Sequence, residues 1–114
     1  MKGGLYIIRQ NGEVETREIT KEPTGDELHE IVGGYIEVVP YWNILIIPSK
    51  GIMSNCVVFC DSDGKTTGGK LFNEHATILW ESVLNRKGMS AAGKDHLVGD
   101  IVAVWGDEEL LAML

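Results

Sequence analysis

Residues on the two faces of the stretch 14–19 alternate, which is the period of a strand with one solvated face. Residues 5–9, a mostly apolar run, predict an earlier strand, and Asn11-Gly12 between the two stretches is a strong signal for a hairpin turn. Apolar runs of strand length predict four more strands, at 35–39, 44–47, 55–60 and 101–105.

Other segments have the spacing of an amphipathic helix. The first begins at Thr24, whose hydroxyl can cap the amide of Glu27. It ends at Gly33 and Gly34, which supply the positive φ that a helix C-terminus commonly needs. The second begins at Asn73, a good N-cap residue, and a short third helix follows the last strand. The apolar stripe of the second helix is Ala76, Leu79, Trp80, Val83 and Leu84.

These elements predict an α+β domain, a mostly antiparallel sheet of about six strands with two or three short helices packed on it. A chain of 114 residues forms one domain, 1–114, by the usual relation of length to domain count. We expect strands 35–39 and 44–47 to pair as a hairpin, and to lie with 55–60 and 101–105 in the middle of the sheet. The run 44–47 is apolar throughout and should be covered on both faces or lie at the sheet centre.

Three segments resemble the motifs of one protein family. They are LHEIVGGYIEVVP at 28–40, NEHATIL at 73–79 and HLVGDIVAV at 96–104, in the family's order. The chain is thereby similar to the domain-of-unknown-function family 3846, which is found largely in phages, plasmids and other mobile DNA. The resemblance implies a mobile-element origin and brings no catalytic activity with it.

The charge balance limits the classes of partner. The chain has 17 acidic and 10 basic residues, a net charge of −7 and a pI near 4.8. Non-specific binding to nucleic acid or to an anionic membrane needs basic surface, so we expect neither direct DNA binding nor membrane association. The acidic balance fits solubility or a basic protein partner. The short apolar stretch after Gly4 does not form a secretory signal, and we expect a cytoplasmic protein in its host cell.

No stretch has the spacing of a catalytic, metal or cofactor site, so we expect no enzyme activity, metal or cofactor. Cys56 and Cys60 lie about 13 Å apart on one strand, too far for a disulfide or a shared metal, and should be reduced. The segment 61–64 lacks the spacing of a calcium loop and is interpreted as a hairpin turn. The segment 68–70 lacks that of a phosphate loop and is interpreted as a flexible connector.

Five residues are candidates for binding. Glu37 is a carboxylate inside an apolar strand, where it must face water or a partner, and Tyr35 lies on the same strand face. Trp42 either anchors a partner or is a covered loop aromatic. Arg86 and Lys87, with Lys94 in the loop that follows, supply the basic groups that a nucleotide site would need.

We therefore expect a non-catalytic accessory binding protein of a phage or other mobile element. Its first concrete form is a counter-defence inhibitor that binds a host protein through an acidic or aromatic surface. The alternatives are an oligomeric sponge that sequesters a small nucleotide signal, a small enzyme of unknown type, and a structural module of a phage particle. Oligomeric state stays open at this point.

Overall fold

The computed structural model describes residues 2–47, 51–53, 55–64, 69–89 and 96–114. Its strands are β1 (Gly3–Ile8), β2 (Val14–Ile19), β3 (Ile36–Val38), β4 (Leu45–Ile47), β5 (Gly51–Met53), β6 (Cys56–Asp61) and β7 (Ile101–Gly106). Its helices are α1 (Gly25–Val32), α2 (Glu74–Arg86) and α3 (Glu108–Leu111). The predicted α+β class is confirmed.

The described strands form a five-stranded antiparallel sheet and a separate two-stranded sheet. The order in the first is β2-β1-β7-β6-β3, and β4 pairs with β5 in the second. The prediction of the sheet centre is right for β6 and β7. It is wrong for β3, which lies at an edge, and for β4, which lies outside this sheet.

The predicted hairpin between 35–39 and 44–47 is also wrong. β3 pairs with β6, placing Glu37 opposite Cys60. The chain leaves the sheet after Pro40 because Trp42 turns into the core, where only 3% of it is exposed. The run 44–47 is not covered on both faces, since Ile46 is exposed between two buried neighbours.

Helices cover both faces of the main sheet, and the strand residues alternate between them. On one face, α1 and α3 pack on a cluster that includes Leu5, Ile7, Val102 and Val104. On the other face, α2 and β4 pack on a cluster that includes Tyr6, Ile8, Ile101 and Ala103. Trp80 lies in this second cluster, as its place in the helical stripe predicted.

The helix ends follow the predicted chemistry with one correction. Thr24 Oγ1 accepts from the Glu27 amide at 3.1 Å, and Asn73 Oδ1 accepts from the Ala76 amide at 3.0 Å. Gly33 ends α1 with a φ of 77°, but Gly34 has no positive φ. Gly34 is needed for space, because a Cβ there would lie 2.5 Å from the Asp61 carboxylate.

Asn73 ties the start of α2 to the main sheet. Its side-chain amide donates to the carbonyls of Ile8 and Gly99, at 2.9 and 2.8 Å. Thr77, one turn later, accepts from the Leu97 amide at 2.9 Å through its hydroxyl. The second and third motif segments are thus held together by buried hydrogen bonds.

Two predicted loops fall partly or wholly beyond the described residues. Gly64 donates to the Asp61 carbonyl at 3.2 Å and forms a turn, but residues 65–68 of the predicted hairpin and connector lie outside the described residues. Lys94, which was predicted to lie in the loop after the second helix, is outside them too. None of the helices in the described parts is both long and apolar enough to cross a membrane.

Candidate binding site

Strand β3 presents an open backbone edge. Ser62 N donates to Tyr35 O, and Val39 N donates to Val58 O, both at 2.8 Å. The odd-numbered residues of this stretch therefore direct their backbone groups toward β6, and Ile36 and Val38 direct theirs outward. In the part of the chain that the structure describes, no strand pairs with this outer side.

Large apolar side chains lie exposed along the same edge. The exposed fraction is 74% for Tyr35, 53% for Val38 and 61% for Tyr41. The Tyr35 ring also contacts the His29 ring of α1 in a tilted arrangement, with centroids 5.6 Å apart. Several exposed apolar residues beside an unpaired strand are typical of a protein–protein contact surface.

Tyr41 adopts a backbone conformation that costs free energy in a non-glycine residue. Its φ is 62°, in the left-handed region. The turn directs Tyr41 to solvent and Trp42 inward, where Trp42 Nε1 donates to the Ile44 carbonyl at 3.0 Å. Trp42 is therefore a covered core aromatic and not an exposed anchor, and the exposed aromatic of this turn is Tyr41.

A groove of about 110 Å³ lies beside β3 on the α2 face of the sheet. Glu37 is exposed at this groove, on the same strand face as buried Val39 and opposite Cys60. The remaining lining comes from the residue after Val39, the end of β6 and the turn after it, α2, and the segment before β7: Pro40, Asp61, Ser62, Trp80, His96, Leu97 and Val98. The groove combines an apolar floor with a carboxylate at its rim.

Hydrogen bonds and ring contacts hold the groove in shape. Trp80 Nε1 donates to the Pro40 carbonyl at 2.9 Å and fixes the end of β3 against α2. The His96 ring meets the Phe72 ring edge-on, with centroids 5.8 Å apart. The groove is therefore lined by side chains that the fold holds in place.

A partly buried ion pair lies at the start of β3. Lys70 Nζ is 3.2 Å from Asp61 Oδ2, and the Asp61 side chain is only 5% exposed. Lys70 Nζ also donates to the Val32 carbonyl at 2.7 Å, at the C-terminus of α1. Lys70 therefore links the C-terminal end of α1 to the end of β6, close to where β3 begins. The prediction that 68–70 form a flexible connector is wrong for Lys70.

The structure separates the predicted site residues into two groups. Tyr35 lies just before β3 and against His29 of α1, whereas Glu37 lies in β3 and lines the groove on the α2 face, so the two residues do not share one pocket. Arg86 and Lys87 are exposed at the C-terminus of α2. Six residues after Trp80, Arg86 lies about 9 Å further along that helix.

The surface next to Arg86 offers little room. Arg86 lines a hollow of about 20 Å³ together with Trp42 and Ile46. That volume holds about one water molecule, far less than a nucleotide. Lys94, the third basic residue predicted for a nucleotide site, lies outside the described residues.

Both cysteines are free thiols. Cys56 is buried, and burial raises its pKa to about 12. Cys60 is half-buried and lines the groove opposite Glu37. Among the described residues, no three His, Cys, Asp or Glu side chains are grouped to hold a metal ion.

A family model for a domain of unknown function, DUF3846, matches residues 1–111 of the chain. The chain belongs to this family. No curated protein and no solved structure matches it. Two of the three DUF3846-like segments meet at the groove: the first contributes Glu37, Val39 and Pro40, and the third contributes His96, Leu97 and Val98. The second segment ends immediately before Trp80, which also lines the groove.

Sequence reasoning proposed Glu37 and Tyr35, which lie in and next to β3, and did not propose Val38, Tyr41 or the Lys70–Asp61 pair. The backbone groups of Val38 face an open edge only because β3 is an edge strand. No local sequence pattern shows that β3 lies at an edge. Lys70 pairs with Asp61 and also donates to the carbonyl of Val32, which lies 38 residues earlier in the chain. The sequence signal that could have indicated these contacts is the two consecutive glycines at 33–34. A Cβ at either position would collide with the Lys70 ammonium or the Asp61 carboxylate.

Proposed function

We propose that this protein is a non-catalytic accessory binding protein of a phage or other mobile element, and that it docks a host protein on the outer edge of β3. The observation that carries the proposal is the open strand edge with Tyr35, Val38 and Tyr41 exposed beside it. An extended segment of a partner can add to such an edge through main-chain hydrogen bonds, while side chains give specificity.

The two edges of the main sheet differ in a way that supports this choice. The exposed residues of β2 include Glu18 and Arg17, and charged residues protect an edge strand from unintended pairing. In β3 the exposed residues are Glu37 and Val38, and the strand is flanked by the exposed aromatic residues Tyr35 and Tyr41. We therefore assign the partner to β3.

Counter-defence is the specific form of this proposal. A mobile element benefits from a small protein that occupies a host protein acting against it, and the DUF3846 resemblance supports the mobile-element origin. The net charge of −7 favours a basic partner surface, such as that of a nucleic-acid-binding defence protein. The nucleotide-sponge alternative has weaker support, because the hollow beside Arg86 is small and lies away from the β3 groove.

The test is capture from host-cell lysate by the tagged protein and by a variant with a blocked edge. Val38→Pro removes one outward N–H and leaves the hydrogen bonds between β3 and β6 intact. The matched control is Thr16→Pro on β2. Arg9 N donates to Glu13 O, and this register directs the Thr16 N–H away from β1, so the control removes an outward N–H from the other edge.

We expect a host protein that the unmodified chain and Thr16→Pro retain equally and that Val38→Pro loses. Both variants should keep the circular dichroism spectrum and melting temperature close to those of the unmodified chain. Capture of the same protein by folded Val38→Pro would refute docking on β3.

A further inference from the structure

We propose that the partner segment places a lysine or arginine directly opposite Glu37, with its cationic group at the groove beside β3. This inference rests on the proposed docking at β3 and adds the chemistry of the docked segment. It follows from three features: the register of the outward backbone groups, the lining of the groove, and the unfavourable geometry of pairing with a second copy.

The backbone fixes which partner residue meets Glu37. Ile36 and Val38 direct their N–H and C=O groups outward, so an antiparallel strand forms its hydrogen-bonded pairs at these two residues. Glu37 then lies in the non-hydrogen-bonded pair between them, where Cα atoms are only about 4.5 Å apart and side chains lie closest. The residue opposite Glu37 projects from the same face of the sheet, which is the face with the groove.

The groove fits one long basic side chain. Its volume of about 110 Å³ is below the roughly 300–1,000 Å³ of small-molecule sites. Val39, Trp80 and Leu97 are buried beneath it and provide apolar surface for an aliphatic stem. Glu37 remains exposed at the rim, where its carboxylate can pair with an ammonium or guanidinium group.

A second copy of this chain fits the edge poorly in the three antiparallel registers that pair Ile36 or Val38 of one copy with Ile36 or Val38 of the other. With Ile36 opposite Val38 of the second copy, the two Glu37 carboxylates oppose each other and repel. With Val38 opposite Val38, Ile36 faces Pro40, which has no N–H to donate. With Ile36 opposite Ile36, Val38 faces Gly34, whose amide already donates to His29 O at 3.3 Å. A basic segment of another protein meets none of these obstacles.

Three extended peptides test the inference directly. They are acetyl-Thr-Val-X-Val-Thr-amide with X as lysine, methionine or glutamate, titrated into the ¹⁵N-labelled full chain at pH 8 and low salt. Dissociation constants come from the amide shifts of Ile36 and Val38. We expect the lysine peptide to bind about 3–5-fold more tightly than the methionine peptide, as for a partly exposed ion pair. The glutamate peptide should bind most weakly.

Charge-neutral variants identify the carboxylate responsible. Glu37→Gln should abolish the preference for lysine and leave the affinity for the methionine peptide unchanged. Glu18→Gln, an exposed carboxylate on the opposite edge strand, is the matched control and should keep the preference. The lysine peptide should also slow alkylation of Cys60, which lies opposite Glu37 in the groove.

The other outcomes separate this inference from the proposed function. Equal affinity for all three peptides, with shifts at Ile36 and Val38, would support docking on the β3 edge. It would overturn the inference that a basic side chain lies opposite Glu37. Absence of shifts at these two amides, or shifts at Arg86 and Lys87 instead, would overturn both. Concentration-dependent dimerisation of the free chain through Ile36 and Val38 would replace the basic segment with a second copy and overturn the inference.

Discussion

Lys70 and Asp61 form an ion pair that joins three separate parts of the fold. The ammonium lies 3.2 Å from Asp61 Oδ2 and donates to the Val32 carbonyl at the end of α1. Glycines make room for the pair, because a Cβ at Gly34 would meet the carboxylate and a Cβ at Gly99 would lie 2.9 Å from Lys70 Cδ. The pair thus positions the start of β3 relative to α1 and β6.

Lys70→Met should destabilise the fold by about 3 kcal/mol. The substitution keeps the aliphatic length and leaves the buried Asp61 carboxylate without its cation, and removing one partner of a buried pair costs about 3–5 kcal/mol. The lower end is expected because the Lys70 side chain is still 21% exposed. Urea unfolding measures the loss, with exposed Lys21→Met as the control. A loss below about 1 kcal/mol would show that the pair is not structural.

Gly34→Ala and Gly25→Ala should change stability in opposite directions. Gly34 has an ordinary φ, but an added Cβ would lie 2.5 Å from the Asp61 carboxylate, so overpacking should cost about 1–3 kcal/mol. Gly25 is in the first turn of α1 with open space around it, and alanine there should stabilise by about 0.5–1 kcal/mol. Thermal unfolding of both variants measures the difference. An unchanged stability of Gly34→Ala would contradict this prediction, because it would show that the Lys70–Asp61 pair moves aside at no cost in folding free energy.

Asn73→Asp should destabilise by about 3 kcal/mol or more while keeping the helix cap. The Asp carboxylate still accepts from the Ala76 amide, but it cannot donate to the carbonyls of Ile8 and Gly99. Each buried acceptor left without a donor costs about 1–3 kcal/mol. Asn85→Asp, on the exposed side of α2, is the control for the added charge. Equal urea midpoints for the two variants would contradict the role of Asn73.

The two thiols should react at very different rates with iodoacetamide at pH 8.5. The thiolate is the reactive form, and burial raises the pKa of Cys56 to about 12, so almost none of it ionises at that pH. Cys60 is half-buried at the groove and should be modified first. Mass spectrometry should find a single adduct on Cys60 without denaturant and two adducts in urea. A first adduct on Cys56 would contradict the placement of β6.

Local patterns predicted six of the seven described strands, all but β5 (Gly51–Met53), because residues close together in the chain largely decide whether a strand or helix forms. The Asn11-Gly12 turn, the caps at Thr24 and Asn73, and the core position of Trp80 depend on short-range chemistry or on helical periodicity. The pairing of β3 could not be predicted in the same way. β4 follows β3 in the chain and was therefore the expected pairing partner. The chain instead turns inward at the buried Trp42, so β3 pairs with β6 and β4 pairs with β5.

The candidate site was predictable only in part for the same reason. Glu37 was identifiable because a carboxylate in an apolar strand requires water or a partner. Tyr41 and Trp42 are adjacent aromatics, and which of them is exposed depends on the positive φ of Tyr41, a tertiary effect. The contribution of Cys60 and His96 to the groove depends on strand order and on the placement of the segment before β7.

Amide hydrogen exchange, resolved by residue, tests the central claim most directly. It is measured on the chain alone and in complex with the captured host protein. Docking on the β3 edge predicts that the amides of Ile36 and Val38 exchange at least about tenfold more slowly in the complex, while the amide of Thr16 on the other edge is unchanged. Unchanged exchange at Ile36 and Val38, with new protection at Arg86 and Lys87, would contradict the claim and place the partner at the end of α2.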